Sequence, residues 1–208
     1  DPALTPVQNS QKYYAEYRKA DTAEKKLREL IAKGEEELVY VDSIFDAITR
    51  TNSESELAAI KSELAAEGYI KNIRAKKQKP EKLKPKRYRS SDGFTILVGR
   101  NNVQNDELTL RTAKGNDMWL HTQKIPGSHT VVLSEGREIS NQALEQAAII
   151  AAYNSRAQDS AQVPVDYTLI RNVKKPHGAK PGMVIYETYQ TAYVTPDREL
   201  VESLEEKK

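Results

Sequence analysis

The chain has 208 residues, a formal net charge of +2, and 38% hydrophobic and 30% charged residues. Its length fits one ordinary domain or a smaller domain with an elongated appendage, and a mean hydropathy of -0.71 favours the second. Zero cysteines exclude disulfides, thiolate nucleophiles and zinc ribbons. Without a membrane-length apolar run or a signal peptide, we expect a cytoplasmic protein with no membrane partner, the alternative being association with the cell surface without a signal peptide. The missing initiator methionine suggests a fragment of a longer chain.

The first fifty residues have the pattern of one long helix. Thr5 and Gln8 form a capping box around Pro6, which suits the first helical position. Apolar residues then recur at alternating steps of three and four, as in a coiled-coil seam with two faults at Glu24 and Gly34, until the helix is expected to end near Thr49. The seam consists of Tyr17, Ala20, Leu27, Ile31, Leu38, Val41, Phe45 and Ile48. Such a seam calls for a partner helix, either one missing from this fragment or a second copy, and the alternative is that the arm is a passive spacer.

A second, shorter helix is predicted after the long one. Ser53 and Glu56 offer another capping box, apolar residues follow at helical spacing, and Gly68 is expected to end the helix. Together the two helices form a helical hairpin or a bent coiled-coil arm over residues 1–70.

A dense positive stretch follows the arm. Residues 71–89 contain ten lysines and arginines against one glutamate, whereas the flanking regions are mildly acidic. Because prolines interrupt it, we interpret residues 71–87 as a linker. It is either a solvated spacer or a strap that binds a polyanion, and the charge density favours the strap. Its candidate RNA contacts are Lys76, Lys77, Lys79, Lys84, Lys86 and Arg87.

Residues 88–208 change to short apolar runs separated by Gly, Asn, Asp and Pro, a pattern typical of strands. The predicted strands lie at 94–98, 107–111, 118–121, 130–133, 167–173, 183–187 and 191–194. Ser140 begins an alanine-rich helix that should pack on the sheet, and a short helix over 197–204 ends the chain. The predicted fold class is α+β: a long helical arm followed by a compact mixed α/β domain.

The first polar cluster of this domain lies at residues 99–106, predicted as a loop. Its candidate ligand-binding residues are Arg100, Asn101, Asn102 and Asn105. Amides and a guanidinium suit phosphate, ribose and base edges, but asparagines equally favour plain turns. It is not a Walker loop, because the required Gly-Lys-Ser/Thr is absent.

A second cluster surrounds Trp119. Period-two alternation places Asp117, Trp119 and His121 on the sheet face opposite the core, and a hairpin could bring His129 near His121. The residues suit either a hydrogen-bonded network that orients two strands or a platform on which Trp119 stacks on a base. Less favoured are a metal site of Asp117, His121 and His129 and a hydrolase triad that uses Ser128.

A third cluster, Lys174, Lys175 and Lys180, lies with His177 on a loop stiffened by proline and glycine. Preordered lysines lose little entropy when they bind phosphate, so the loop suits a polyanion. The alternative is a solvent-exposed hairpin connection without a ligand.

Five motifs of the domain, in this order, resemble the NFACT-R domain. They are ILVGRNNVQNDELT at 96–109, WLH at 119–121, PGSH at 126–129, VPVDYT at 163–168 and VKKPHGAKPG at 173–182. The arm is similar to the region before that domain in bacterial members of the NFACT family, the RqcH proteins, which are relatives of eukaryotic NEMF. The matching positions are 2–6, Asn9, 11–14, Tyr17 and 67–69.

This resemblance implies a ribosome quality-control factor. Such a factor binds an obstructed large ribosomal subunit with peptidyl-tRNA and recruits alanyl-tRNA for C-terminal tailing, so its partners are that subunit and tRNA. The ribosome would perform the chemistry, and this chain would need no cofactor, metal or catalytic residue. The family's N-terminal domain, helix-hairpin-helix module and ascending coiled-coil strand are absent from these residues, and that strand would be the seam's partner.

Three functional hypotheses therefore stand. The leading one is an RNA-binding module in which the strap and the lysine loop bind phosphates while Arg100, Asn101, Asn102, Asn105, Trp119, His121 and His129 supply further contacts. The alternative is a fibronectin-binding adhesin fragment, because Gram-positive members of the family are also called fibronectin-binding proteins. The third is a metal-dependent hydrolase built on Asp117, His121 and His129.

Overall fold

The computed structural model describes residues 1–71 and 83–206. The chain divides into two compact units, residues 1–41 and 42–208. The end of the first helix and the whole second helix therefore belong to the same unit as the sheet, whereas the sequence suggested a division at the linker. In the residues that the structure describes, no helix has the length and apolar content to cross a membrane.

The long predicted helix is confirmed as α1, Pro6–Thr49. Its capping box is formed in both directions. The Gln8 backbone N–H donates to Thr5 Oγ1 at 3.3 Å, and the Thr5 backbone N–H donates to Gln8 Oε1 at 2.8 Å. The predicted seam residues are exposed, with Leu27 at 57% and Leu38 at 70%. The described residues therefore leave the seam uncovered.

The second helix is confirmed as α2, Glu54–Ala66. The Glu56 backbone N–H donates to Ser53 Oγ at 3.3 Å, while the Glu56 carboxylate accepts from the Asn52 backbone at 3.1 Å instead of from Ser53. The helix stops where predicted, because Gly68 takes a φ of 83°, a conformation that a side chain would strain.

The sheet domain contains one six-stranded antiparallel sheet in the order β1-β2-β4-β3-β5-β8. Its strands are β1 Lys86–Arg89, β2 Thr95–Val98, β3 Met118–Thr122, β4 Thr130–Val132, β5 Val163–Leu169 and β8 Gln190–Val194. A separate two-stranded ladder pairs β6, Val173–Lys174, with β7, Ile185–Tyr186. Strand β1 begins inside the segment predicted as a linker.

Two helices share one hydrophobic core with the sheet, which confirms the α+β fold class. The alanine-rich helix is α4, Asn141–Tyr153, whose Ala143 backbone N–H donates to Ser140 Oγ at 3.0 Å. Its buried alanines pack against β3, β4, β5 and β8, and their small side chains let helix and sheet approach closely. The short helix α5, Arg198–Leu204, ends the described chain and is capped by Asp197.

The opposite face of the sheet is also buried. Alternation sends Ile96 and Val98 toward α4, and it sends Leu97 to the other side. The second core consists of Leu97, Leu108, Trp119, Val131, Ile170 and Val173. The segments between the strands supply its cover, so neither face of the central strands is a free surface.

The prediction for residues 99–111 is wrong. Instead of a loop and a strand, the chain forms helix α3, Asn102–Glu107, and a single π-helical turn, Leu108–Thr112. Asn101 starts α3 because its side-chain oxygen accepts from the Gln104 backbone N–H at 2.8 Å. The same amide that suggested a turn is thus a helix cap.

The strand predicted at 167–173 is displaced. Strand β5 begins four residues earlier and ends at Leu169, and a 3-10 turn, Ile170–Asn172, separates it from β6. Pro164 lies at the second position of β5. The remaining strands at 94–98, 118–121, 130–133, 183–187 and 191–194 overlap the predicted ranges.

Candidate nucleic-acid interface

The amide-rich cluster is built into the fold. Asn101, Asn102 and Asn105 are each less than one tenth exposed. Asn102 Nδ2 donates to Ser43 Oγ at 2.9 Å, and Asn105 Oδ1 accepts from the His129 backbone N–H at 3.1 Å. The structure therefore corrects the assignment of these three amides as RNA contacts, because internal partners and burial leave them no access to a ligand.

Arg100 is also engaged inside the domain. Its guanidinium donates to the Glu56 carboxylate at 2.6 Å and to the Lys84 carbonyl at 2.9 Å. Burial alone would raise the pKa of Glu56, but hydrogen bonds from Asn52 and Arg100 outweigh it, so this pKa is lowered. The negative charge of Glu56 offsets the positive charge of Arg100, so this side chain attracts phosphate only weakly. The structure therefore corrects the prediction that Arg100 contacts RNA.

Trp119 does not present a stacking surface. Its side chain is 1% exposed, and its ring lies 4.8 Å from that of Tyr186 and 5.8 Å from that of His121, between centroids. The sequence placed Trp119 on the correct face of β3, but that face is covered by the second core. The proposed stacking of a base on Trp119 is therefore wrong.

The two histidines of this cluster lie against each other, with His129 buried and His121 partly buried. Their rings lie 5.5 Å apart, and His129 Nδ1 lies 2.7 Å from Thr109 Oγ1. Burial, reinforced by the neighbouring His121, lowers the pKa of His129 to about 3, and burial also lowers the pKa of His121. Both rings are neutral near pH 7, so neither supplies the positive charge expected of an RNA contact.

The alternatives of a metal site and a hydrolase triad find no support in this region. Asp117 Oδ1 accepts from the Ser134 hydroxyl at 2.9 Å, and Ser128 Oγ accepts from Arg50 at 3.1 Å, not from a histidine. Across residues 1–71 and 83–206, no group of three or more His, Asp or Glu side chains could hold a metal ion. Asp117, His121 and His129 serve the polar network instead.

The lysine loop is fastened to the domain. Lys175 pairs with the carboxylate of Asp106, which also accepts from the Gly182 backbone N–H at 3.1 Å. Lys180 Nζ lies 2.9 Å from Glu67 Oε2 and 5.0 Å from the ring centre of Tyr69. Lys175 and Lys180 therefore anchor the loop, which corrects their assignment as available phosphate contacts.

Lys174, on the same loop, is different. It is exposed, and it forms no ion pair with any residue that the structure describes. Its position in strand β6 holds its backbone, because the neighbouring Val173 is buried in the second core. Lys174 thus remains available to a ligand.

The predicted strap is only partly described. Lys76, Lys77 and Lys79 lie outside the described residues. Of the others, Lys84 is exposed, Lys86 Nζ donates to Asn154 Oδ1 at 3.0 Å, and Arg87 pairs with the carboxylate of Glu206. Burial, together with nearby arginines, lowers the pKa of Lys86. Lys86 and Arg87 are therefore committed to partners within the domain.

Sequence reasoning missed three exposed cations. Arg111, Lys114 and Arg171 are exposed and form no ion pair with any described residue. The fold brings their two segments together, since Arg171, three residues before Lys174, donates its backbone N–H to the Gly115 carbonyl at 3.4 Å. No spacing rule connects residues so distant in the chain, so only the strand pairing could reveal this group.

Comparison with known proteins gives consistent matches. Residues 84–188 match the family model described as NFACT protein RNA binding domain, and residues 1–84 match NFACT N-terminal and middle domains. The chain is 44% identical over 204 residues to Rqc2 homolog RqcH of Bacillus subtilis and 41% identical over 205 residues to that of Streptococcus suis. These alignments include 97% and 98% of the chain but 35% and 37% of the relatives, so the chain spans about a third of their length.

A solved structure is also similar to the chain. It is described as the structure of the C-terminal of the fibronectin/fibrinogen-binding protein from Streptococcus suis. The TM-score is 0.88 at 39% sequence identity, and the match includes 98% of this chain and 81% of that chain. The likeness therefore extends over the helices as well as the sheet domain.

We expect acidification to destabilise the domain through its buried histidines. The pKa of His129 is about 3 in the folded chain, whereas its ordinary value, which applies to the unfolded chain, is 6.5. Between these two pH values, only the unfolded chain binds the proton. The free energy of unfolding should thus fall as pH falls, by up to ~1.4 kcal/mol per pH unit for His129. Urea unfolding at several pH values measures the slope. His129→Gln should reduce it, and the exposed His177→Gln should not; equal slopes in both variants contradict the assignment.

The two adjacent loop lysines should differ in their contribution to stability. Lys175→Ala removes the cation paired with Asp106 and should lower the free energy of unfolding by ~1–2 kcal/mol. Lys174→Ala removes the same charge from an exposed site and should stay within ~0.5 kcal/mol of the unmodified chain. Denaturant titration compares the two, and similar losses in both variants would show that the Asp106 pair does not anchor the loop.

Proposed function

The chain belongs to the NFACT family, and we propose that it is the RNA-binding part of a ribosome quality-control factor. The observation that carries the proposal is the match of residues 84–188, which include strands β1 to β7 and helix α4, to an RNA-binding domain of that family. Exposed cations without internal acidic partners provide the electrostatic means to hold a phosphate backbone.

In the full-length protein, this part would act on the ribosome. We propose that the protein binds an obstructed large ribosomal subunit carrying peptidyl-tRNA and supports recruitment of alanyl-tRNA for C-terminal tailing, in the cytoplasm. The relatives called Rqc2 homolog RqcH, 40–44% identical over almost the whole chain, support this assignment. Because the chain spans about a third of those relatives, we expect it to supply only part of the activity.

We further propose that the chain acts by binding and not by catalysis. The residues once considered for hydrolysis have structural partners instead: Ser128 bonds Arg50, and His129 bonds Thr109. In this proposal, peptide-bond chemistry belongs to the ribosome. The chain contributes affinity and position, which need only charge and shape.

The exposed seam of α1 supports a further proposal, that another helix covers it. Tyr17, Leu27, Ile31 and Leu38 are each more than half exposed, which is unfavourable for large apolar side chains in a row. The partner would be an upstream strand in the full-length protein or a second copy when this chain is alone.

Fibronectin binding is the second candidate function. It is favoured by one observation, the structural likeness to a streptococcal protein described as fibronectin/fibrinogen-binding. Fibronectin binding needs no phosphate contacts, so nuclease treatment should leave it intact, whereas RNA-dependent capture should be lost. The two functions are therefore separable in one experiment.

The RNA proposal predicts strong salt dependence. Affinity of the chain for large-subunit RNA or tRNA should fall at least about tenfold between about 50 and 200 mM salt, because bound phosphates release counterions. Filter binding or fluorescence anisotropy measures the affinity, and capture of ribosomal material from a lysate should be lost after nuclease treatment.

Two results would count against it. Affinity that stays flat over this salt range would exclude phosphate contacts as the source of binding. Saturable binding to purified fibronectin that survives nuclease, with no binding to RNA, would favour the second candidate.

The seam proposal predicts self-association of the 208-residue chain. Leu27→Ser, on the seam, should raise the dimer dissociation constant by about tenfold, because each copy loses a buried leucine. Leu30→Ser is the matched control, since Leu30 is similarly exposed but off the seam. Sedimentation equilibrium measures the association; a monomer at all concentrations would exclude a second copy as partner.

A further inference from the structure

The π-helical turn and the turn after it present two cations to solvent. Leu108 and Thr109 are buried and fix the inner side of the π turn, so Arg111 near its end is exposed. In the next turn, the Lys114 backbone N–H donates to Asp117 Oδ2 at 2.7 Å. These bonds hold the backbone of both residues while their side chains remain in solvent.

A second pair of cations comes from the segment after β5. Ile170 and Val173 are buried in the second core, whereas Arg171 and Lys174, each one residue further on, are exposed. A Cβ placed on Gly115 would lie 3.7 Å from Arg171 Cβ. The two pairs are therefore neighbours, and we call Arg111, Lys114, Arg171 and Lys174 the basic cluster.

No member of the basic cluster forms an ion pair with a described carboxylate, although the exposed Glu187 lies close by and donates its backbone N–H to the Asn172 carbonyl at 3.4 Å. The only acid within 108–117 and 170–174 is Asp117, which is 3% exposed and whose oxygens accept from Lys114 and Ser134 within the fold. Several other cations of the unit, by contrast, are paired with carboxylates: Arg100, Arg156, Lys175 and Lys180. Positive potential is thus concentrated at the cluster, which favours a polyanion there.

An exposed aromatic ring lies on the segment that follows the β6–β7 ladder. Tyr189 is 48% exposed, and its ring packs edge-on against Tyr186 with 5.2 Å between centroids. Tyr186 is fixed, since it pairs with Val173 in the β6–β7 ladder and its hydroxyl donates to Asp166 at 2.8 Å. Val173 directly precedes Lys174, so Tyr186 links the ring of Tyr189 to the segment that carries Lys174.

We propose that a single-stranded RNA segment binds along the basic cluster through its phosphates and stacks a base on Tyr189. The inference rests on the proposed RNA-binding function and deepens it by naming the site and the form of RNA. Unpaired bases can stack on an aromatic side chain, whereas bases inside a duplex are already stacked on one another. Cations combined with an exposed tyrosine therefore fit a single strand better than a duplex.

The test measures binding of the full 208-residue chain to a fluorescein-labelled oligouridylate of about 12 nucleotides and to an RNA duplex of similar length. Exchanging all four cations of the cluster for glutamine should reduce the slope of log affinity against log salt by about 3. The pair variants Arg111→Gln with Lys114→Gln, and Arg171→Gln with Lys174→Gln, should each give about half of that reduction.

Matched variants separate the site from general charge. Lys61→Gln with Lys124→Gln removes the same charge as either pair from exposed positions outside the cluster, and should leave the slope unchanged. Tyr189→Ala should weaken oligouridylate binding by about fivefold or more without changing the slope or the duplex affinity, and Tyr189→Phe should restore binding. Circular dichroism checks that each variant is folded. If the fourfold variant unfolds, the salt slopes of the two pair variants alone test the inference.

Failure of the inference is distinct from failure of the proposed function. If the unmodified chain binds neither RNA nor ribosomes, the proposed function is overturned. If it binds RNA but the cluster variants keep the original slope, the site is overturned and the function stands. If Tyr189→Ala has no effect, or weakens duplex binding equally, stacking of a single strand is overturned.

Discussion

Burial of both faces of the central strands determines which side chains in the middle of this domain can reach a ligand. Helix α4 covers one face with alanines, and the connecting segments cover the other. Polar residues on the central strands, such as His121, His129 and Asp166, therefore become parts of an internal network. Contacts with a partner must come from the outer side of the connecting segments, which are held in place by the same core.

Ion pairs impose the second restriction. Several cations that look available in the sequence are held by acids distant in the chain: Arg100 by Glu56, and Lys180 by Glu67. If such a cation turned to an RNA phosphate, it would leave its partly buried carboxylate without a partner. That loss costs more free energy than the cation gains from its new contact with phosphate. Counting lysines and arginines along the sequence thus overstates the charge that RNA can meet, and the unpaired cations matter most.

Local signals explain which parts of the fold could be predicted. Helices α1, α2 and α4 carry caps at Thr5, Ser53 and Ser140 and a helical apolar period, so their positions followed from the sequence. The prediction of a loop and a strand over residues 99–111 was wrong because an asparagine that caps a helix also suits a turn. The predicted stacking of a base on Trp119 was wrong for a non-local reason. Residues such as Leu108 and Val173 cover that face of β3, and no sequence pattern around β3 reveals them.

The basic cluster and the burial of Trp119 depend on the same strand register. Pairing of Met118 with Leu169 in the β3–β5 ladder brings the turn at Lys114 beside Arg171, and the Ile170 N–H to Asp117 carbonyl bond, at 2.9 Å, extends it. A slip of one residue would turn Trp119 toward the opposite face and also separate the two cation pairs. The hydrophobic pattern that stabilises the second core therefore also assembles the surface proposed for RNA, which couples binding to stability without any contact between tryptophan and ligand.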